Sequence, residues 1–281
     1  MVVTGASTGI GRAAVLRLDG LGLRVFAGVR KEDDARSLAE DAGSGLEPLH
    51  LDVTNEASIS AAAETVRSRL DGARLLGVVN NAGIAIGGPA EFVPIAEWHR
   101  QLEVNVLGPV AVTQHFLPLL REHRGRIVNI SSIGGRFSQP FLAPYVASKH
   151  ALEAISDALR IELRPWGIDV VLIEPGSIAT PLWDKGLSAA DELVSTAPKG
   201  LGELYGRATD VMTTVARREA RRGVPPQRVA DAIVEALMSR RPRTRYLVGM
   251  DARGMAMVRR MLPDRWRDEI IFRATGLPRH T

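Results

Sequence analysis

The sequence contains no cysteine, which excludes disulfide bonds, a thiolate nucleophile and a cysteine-ligated metal. Its six histidines have no zinc-type H-E-x-x-H or H-x-x-x-H spacing, so no metal site is predicted. No apolar run approaches the roughly 18 residues that a membrane-spanning helix needs, and the N-terminal MVVTGAS lacks the pattern of a signal peptide. We therefore expect a cytoplasmic protein without an integral membrane segment.

The chain also lacks a strong charge imbalance. Its formal net charge is +4 and its basic residues are spread along the sequence, without a basic arm or an RNP motif, so nucleic acid is not an expected partner. With 281 residues, of which 45% are hydrophobic, the chain is long and apolar enough for a substantial buried core.

Short apolar and β-branched runs recur along the chain, separated by segments with helical periodicity. These runs are 1–5, 23–29, 46–53, 75–83, 125–132, 168–176 and 244–249. Alternation of this kind is typical of right-handed βαβ units, and near-continuous apolar strands indicate a parallel sheet that helices cover on both faces. The predicted fold class is α/β, a doubly wound parallel sheet of about seven strands in a single domain, 1–281.

Two segments depart from this alternation. Residues 182–226 form an irregular insertion after the strand at 168–176, and it carries the apolar residues Trp183, Leu187, Leu193, Leu201, Leu204, Tyr205, Val211 and Met212. Because ligands of open α/β sheets bind at the carboxyl ends of the strands, the insertion is interpreted as a lid, with a surface αα-hairpin as the alternative. The C-terminal extension 250–281 is interpreted as a helix docked beside the pocket rather than a peripheral membrane helix, because Pro263 and acidic residues interrupt its apolar face.

A glycine-rich loop, TGASTGIG, joins the first strand to the first helix. The candidate phosphate-binding residues are Gly5, Ser7, Thr8, Gly9, Ile10 and Gly11. Glycines let backbone N–H groups and a helix N-terminus approach a pyrophosphate, although this spacing differs from G-x-G-x-x-G. The chain begins four residues before Gly5, so either the first strand is short or the native start lies upstream.

The ends of the next strands bear on the choice of cofactor. A carboxylate normally follows the second strand where a dinucleotide ribose binds, but here Gly28 and Val29 are followed by Arg30, which favours the 2′-phosphate of NADP(H). NAD(H) remains possible because Asp33 and Asp34 follow, and Arg30 is alternatively an ordinary surface residue. Further candidates at the carboxyl edge are Asp52, Val53, Asn81, Ala82 and Gly83, although NNAG is alternatively a simple turn.

Tyr145 and Lys149 stand four residues apart in YVASK. If this stretch is helical, their side chains lie on one face, so the phenol and the ammonium project into the same space. Taken alone, the pair is equally compatible with an ordinary contact on a helix surface.

The motifs TGASTGIG, NNAG, NISS, YVASK and EPG occur in this order, and the chain therefore resembles the short-chain dehydrogenase/reductase superfamily over residues 1–180, with its Rossmann-type fold. The resemblance implies four catalytic positions, Asn105, Ser132, Tyr145 and Lys149. Tyr145 is expected to be the general acid and base, Lys149 to lower its pKa and bind the nicotinamide ribose, and Ser132 to hold the substrate oxygen. Asn105 is expected to support a proton relay from the lysine, or alternatively to be only a kink residue.

The resemblance also implies a nicotinamide-binding turn after the sixth strand, with Pro175, Gly176, Ile178 and Thr180 as candidates. It implies a homodimer or homotetramer, and RYLVG with the basic tail is similar to the 17β-hydroxysteroid and retinol dehydrogenase branch. We expect a hydride transfer between NADP(H) and a hydrophobic alcohol, ketone or aldehyde. The alternatives are a non-catalytic nucleotide-binding protein of the same fold and, less compatible with the short C-terminal part, a sugar-nucleotide epimerase or dehydratase.

Overall fold

A computed structural model describes residues 1–183, 186 and 200–277. Seven strands form one parallel sheet in the order β3-β2-β1-β4-β5-β6-β7. Their bounds are β1 Val2–Val3, β2 Val25–Val29, β3 Leu46–His50, β4 Gly77–Asn80, β5 Arg126–Ile130, β6 Asp169–Pro175 and β7 Arg245–Val248. The predicted doubly wound parallel sheet is confirmed, and each strand lies inside its predicted apolar run.

The helices alternate with the strands. They are α1 Gly9–Asp19, α2 Glu32–Asp41, α3 Glu56–Arg69, α4 Ile95–Leu102, α5 Gly108–His123, α6 Ala143–Glu162, α7 Gly200–Arg222, α8 Pro226–Met238, α9 Met250–Met261 and α10 Asp264–Thr275. A π-helical turn, Glu103–Leu107, joins α4 to α5, and 3-10 turns occupy Ile133–Gly135 and Arg164–Trp166. No helix among the described residues has the length and apolar character needed to cross a bilayer.

Two hydrophobic layers cover the sheet. Leu18 of α1, Leu38 of α2 and Ile233 of α8 pack against one face. Ile59 of α3, Phe116 of α5 and Leu163 after α6 pack against the other. Burial on both faces explains why the strands are apolar throughout rather than alternating.

The strand order reverses between β1 and β4, since β1 has β2 on one side and β4 on the other. At such a switch point the loops after the two strands diverge to opposite faces and leave a crevice at the carboxyl edge. The glycine loop follows β1, and the NNAG loop follows β4, so both border this crevice.

The predicted irregular conformation of the insertion is wrong for residues 200–222, which form α7. Leu201 is buried, Tyr205, Val211 and Met212 are partly buried, and Leu204 is exposed. The predicted lid residues Leu187 and Leu193 lie outside the described residues. The C-terminal extension forms two helices separated by Pro263, and Ala252, Met255 and Val258 of α9 pack against Ile133 and Phe137, which follow β5.

Candidate active site

The glycine loop is held closely against the loop after β4. Gly5 has a φ of +65°, and a Cβ there would lie 2.8 Å from the Cα of Ala82, so any side chain at this position would disturb both loops. The Asn81 Nδ2 donates to the carbonyl oxygens of Thr4 (2.9 Å) and Gly5 (3.0 Å). These contacts place the predicted residues Asn81, Ala82 and Gly83 beside the glycine loop.

Thr4 is a further residue of this junction that the sequence reasoning missed. Its buried hydroxyl oxygen accepts from the backbone amides of Asn81 and Ala82, each at 3.0 Å. The signal in the sequence was a threonine immediately before the first glycine of the loop, at the end of an apolar strand.

The N-terminus of α1 has the features of an anion site. Thr8 is the N-cap residue and makes no capping hydrogen bond with its side chain, and the first turn carries no acidic residue. The free amides at Gly9, Ile10 and Gly11 are therefore available to a phosphate, with the helix dipole in its favour. Gly9 also faces Thr180, because a Cβ on Gly9 would lie 3.2 Å from the Thr180 side chain. Ser7, partly buried, lies between Gly5 and Thr8 in this loop.

Arg30 lies directly after β2 and is exposed. Among the described residues, no hydrogen bond or ion pair engages its guanidinium. Its positive charge nevertheless reaches Asp52: burial raises the pKa of that carboxyl, but hydrogen bonds from Thr54 and the charge of Arg30 outweigh burial and bring the pKa below its ordinary value. Arg30 and Asp52 thus face the same end of the crevice.

Asp52 and Val53 were predicted at the end of the third strand, but β3 ends at His50 and both residues lie in the loop that follows. The Asp52 carboxylate accepts from the amide and hydroxyl of Thr54, at 3.0 Å and 2.8 Å. The side chain of Val53 is buried against Gly108 at the start of α5.

Ser132 and Tyr145 meet beyond the end of β5. The Ser132 Oγ accepts from the Gly134 amide at 3.0 Å and donates to the Pro175 carbonyl oxygen over a long 3.5 Å contact. Tyr145 is in the first turn of α6, and its phenol hydrogen-bonds Ser132. Burial raises the pKa of Tyr145, and the Ser132 hydroxyl only partly opposes this, so the phenol is protonated at neutral pH.

Lys149 lies one turn after Tyr145 and is 6% exposed. Its Nζ donates to the Ile130 carbonyl oxygen at 2.8 Å and lies 5.8 Å from the centroid of the Tyr145 ring. Burial lowers the pKa of Lys149 to about 8, and the nearby Glu153 carboxylate partly opposes this. The lowering of the Tyr145 pKa that was expected from Lys149 does not appear in the structure, because burial of the phenol has the largest effect on that pKa and raises it.

Asn105 occupies the π-helical turn and is buried. Its side-chain amide pairs with both backbone groups of Ile84, accepting from N at 2.9 Å and donating to O at 3.0 Å, and it also donates to Ser148 Oγ at 3.1 Å. Local π-helical geometry is frequent at functional sites because it redirects a side chain. Among the described contacts, Asn105 holds the loop after β4 and the Tyr145 helix together and has no direct bond to Lys149.

Gln101, one turn before Asn105, was not anticipated. It is fully buried, accepts from Ile86 N at 2.8 Å and donates to Ile84 O at 2.9 Å. Its i,i+4 spacing from Asn105 in a helix was the available signal. Together the two amides fix the segment that follows NNAG.

The turn after β6 completes the site. Pro175 ends β6, the Gly176 amide donates to Val248 O at 2.9 Å, and Ile178 forms a parallel bridge with Val224. Thr180 lies against Gly9 of the glycine loop. The predicted cofactor and catalytic residues therefore surround one crevice at the carboxyl edge of the sheet.

Tyr205 connects α7, which lies in the segment predicted as a lid, to two other aromatic residues. Its ring makes edge contacts with Phe92 (5.8 Å between centroids) and Phe141 (6.1 Å), and its hydroxyl donates to Glu91 Oε2 at 3.0 Å. Phe92 belongs to the loop after β4, whereas Phe141 immediately precedes the helix that carries Tyr145. An aromatic cluster thus joins α7 to the loop after β4 and to the segment that leads into the Tyr145 helix.

Comparisons with known proteins agree with this geometry. The short chain dehydrogenase family profile matches residues 1–190. The chain is 36% identical to an NADPH-dependent 3-dehydrocapnine reductase of Ornithobacterium rhinotracheale, over 97% of this chain and 95% of the relative. It is 37% identical to a bovine 17-beta-hydroxysteroid dehydrogenase type 6, over 98% and 88%. The crystal structure of a short-chain dehydrogenase from Streptomyces avermitilis superimposes with a TM-score of 0.77, at 31% identity over 98% of this chain and 96% of that one.

Proposed function

Because this chain belongs to the short-chain dehydrogenase family of NAD(P)-dependent oxidoreductases, we propose that it transfers a hydride between NADP(H) and a hydrophobic alcohol, ketone or aldehyde. The observation that carries the proposal is the convergence of the Tyr145 phenol, the Ser132 hydroxyl and the buried Lys149 amine. The N-terminus of α1, which has no side-chain cap, offers a phosphate site in the same fold. A protein that only bound a nucleotide would have no use for a partly buried tyrosine that hydrogen-bonds a serine hydroxyl and lies beside a buried lysine.

NADPH, when bound, supplies the hydride that reduces the carbonyl carbon. Tyr145 Oη donates its proton to the carbonyl oxygen as negative charge develops there, which completes the alcohol. Ser132 Oγ donates a hydrogen bond to the same oxygen in place of its long 3.5 Å contact with the Pro175 carbonyl oxygen, while the Gly134 amide holds the hydroxyl in position. Burial raises the pKa of Tyr145, which keeps the phenol in the protonated form that carbonyl reduction uses.

Lys149 is proposed to hold the nicotinamide ribose and to stabilise the Tyr145 phenolate that proton transfer leaves behind. Its ammonium has donors beyond the one that Ile130 accepts, and Tyr145 is its neighbour on α6. Asn105 is proposed to support this arrangement indirectly, through Ser148 and the loop after β4.

Arg30 supports the preference for NADP(H). Its guanidinium is exposed and has no partner among the described residues, so it is available to a 2′-phosphate, whereas Asp33 is paired with Arg36. A relative with 36% identity is named as NADPH-dependent. A carboxylate that would favour the ribose diol of NAD(H) is absent at Gly28 and Val29.

The aromatic cluster of Tyr205, Phe92 and Phe141 supports a hydrophobic substrate, because apolar walls favour burial of apolar ligand surface. Two relatives of the chain are named as a 17-beta-hydroxysteroid dehydrogenase and a retinol dehydrogenase. The exposed alanines of α6, Ala147, Ala154 and Ala158, are small enough for close helix packing and support the proposal of a homo-oligomer.

Titration of the purified protein with NADPH and NADH, followed by nicotinamide fluorescence, tests the cofactor assignment. We expect wild type to prefer NADPH and Arg30→Ala to lose about tenfold in NADPH affinity, the value of a charged hydrogen bond, with NADH unaffected. Arg36→Ala is the matched control, since it removes an exposed arginine that already has a partner on α2. Better binding of NADH, unchanged in Arg30→Ala, would contradict the NADP(H) preference.

A further inference from the structure

The turn Pro175–Thr180 is held by two carboxylates from segments that lie outside the sheet. The Ser177 amide donates to Asp251 Oδ2 at 2.7 Å, and the Ser177 hydroxyl donates to Glu219 Oε2 at 2.7 Å. Asp251 belongs to the first turn of α9, and Glu219 belongs to the lid helix α7. Ser177 therefore connects the turn to both the lid and the C-terminal extension.

Two glycines make room for the Asp251 carboxylate. A side chain at Gly176 or at Gly249 would overlap the Asp251 oxygens, and Gly249 has a φ of +109°, which favours glycine. The position of Asp251 at a helix N-terminus also stabilises its negative charge. The carboxylate is thus enclosed where β6, β7 and α9 meet, and small changes in its position would move the turn.

The residues that follow α7 also make backbone hydrogen bonds with the turn. Val224 N donates to Ser177 O at 2.8 Å, and Ala179 N donates to Val224 O at 3.0 Å. The residues after the lid helix therefore run alongside the turn and share its backbone hydrogen bonds. A displacement of α7 would be transmitted to Ser177 through both Glu219 and Val224.

We propose that Asp251 and Glu219 are positioning residues for the nicotinamide end of the cofactor, acting through Ser177. Asp251 fixes the turn against the sheet, and Glu219 links that turn to the helix that covers the substrate. This inference rests on the proposed function, which assigns Pro175–Thr180 to the nicotinamide. It gives the C-terminal extension a role in cofactor binding although the extension lies far from the glycine loop in sequence.

A pair of ligands tests the inference. NADPH occupies the whole dinucleotide site, whereas 2′,5′-ADP carries only the adenosine half and should not depend on the turn. We expect Asp251→Ala to weaken NADPH binding about tenfold, because the Ser177 amide loses a charged acceptor, and to leave 2′,5′-ADP binding within about twofold. Isothermal titration calorimetry measures both affinities, and Asp268→Ala, an exposed carboxylate of α10, is the matched control.

Equal losses for the two ligands in Asp251→Ala, or no loss for either, would overturn the role of Asp251. If Asp251→Ala does not fold, the milder Ser177→Ala and Glu219→Gln remain as tests, with exposed Glu203→Gln of α7 as control. Each is expected to weaken NADPH selectively, and the double variant should lose no more than either single one. Additive losses would overturn the link through Ser177. A wild type that binds neither ligand would refute the proposed function itself.

Discussion

The buried Lys149 predicts an unusual dependence of stability on pH. Its pKa is about 8 in the folded protein, against an ordinary value of 10.5. Below pH 8 the lysine is charged in both folded and unfolded states, and its burial costs about 3 kcal/mol of unfolding free energy. Between pH 8 and 10.5 the folded state releases the proton first, so this cost falls and stability rises with pH.

The comparison variant is Lys149→Met, which keeps a similar length without the charge. The difference in unfolding free energy between wild type and Lys149→Met should shift in favour of wild type by about 2 kcal/mol between pH 7 and pH 9.5. Urea unfolding at a series of pH values measures it. The exposed Lys31→Met serves as control and should give a constant difference. If the difference in unfolding free energy between wild type and Lys149→Met is also independent of pH, the inference that Lys149 is buried with a lowered pKa is refuted.

Three further substitutions test other contacts of the site. Gly11→Ala would press a methyl group against the Gly5 carbonyl oxygen. We therefore expect the unfolding free energy to fall by about 1–3 kcal/mol and NADPH binding to be lost. Normal NADPH binding would contradict the close packing of the glycine loop. Asn105→Ala leaves the partly buried Ile84 amide without its acceptor, although Gln101 still donates to the Ile84 carbonyl oxygen, and should cost about 1–2 kcal/mol in urea unfolding. An unchanged midpoint would argue against this anchor. Tyr205→Ala should raise the KM for hydrophobic substrates without changing NADPH affinity, and Tyr205→Phe should behave as wild type. If Tyr205→Ala and Tyr205→Phe have equal KM values, α7 does not contribute to the substrate site.

The strands could be predicted because they are buried on both faces, which makes each a short apolar run between polar segments. Their ends could not be placed to the residue. Thr4 and Asn81 extend apolar runs, but their polar groups join loops instead of the sheet. The sequence pattern contains no information about which partner such a group will find.

Helix α7 shows a second limit of prediction from the sequence. The segment was predicted as irregular, and Gly200, Gly202 and Gly206 do lower its helix propensity, yet residues 200–222 form a helix. Leu201 is buried and Tyr205 packs on Phe92 and Phe141, and such tertiary packing overrides local propensity.

Tyr145 and Lys149 could be predicted as catalytic candidates because they share a helix face and their motif stands in a fixed order with the others; their catalytic roles stay a prediction. The pKa values could not be predicted, since they depend on how deeply each group is buried: the phenol pKa is raised by burial, contrary to the expected effect of the lysine. The contact between Ser177 and Asp251 joins segments 74 residues apart, and no local spacing rule indicates it.

The most direct test of the account is a single-turnover reaction of NADPH-loaded enzyme with a panel of hydrophobic ketones and aldehydes, following NADPH absorbance and alcohol formation. We predict one alcohol per NADPH for wild type, and for Tyr145→Phe an unchanged NADPH affinity with a rate lower by about 100-fold or more. Wild-type turnover rates in Tyr145→Phe would contradict the assignment of Tyr145 as the acid. NADPH binding without reduction of any compound by wild type would favour a non-catalytic nucleotide-binding protein.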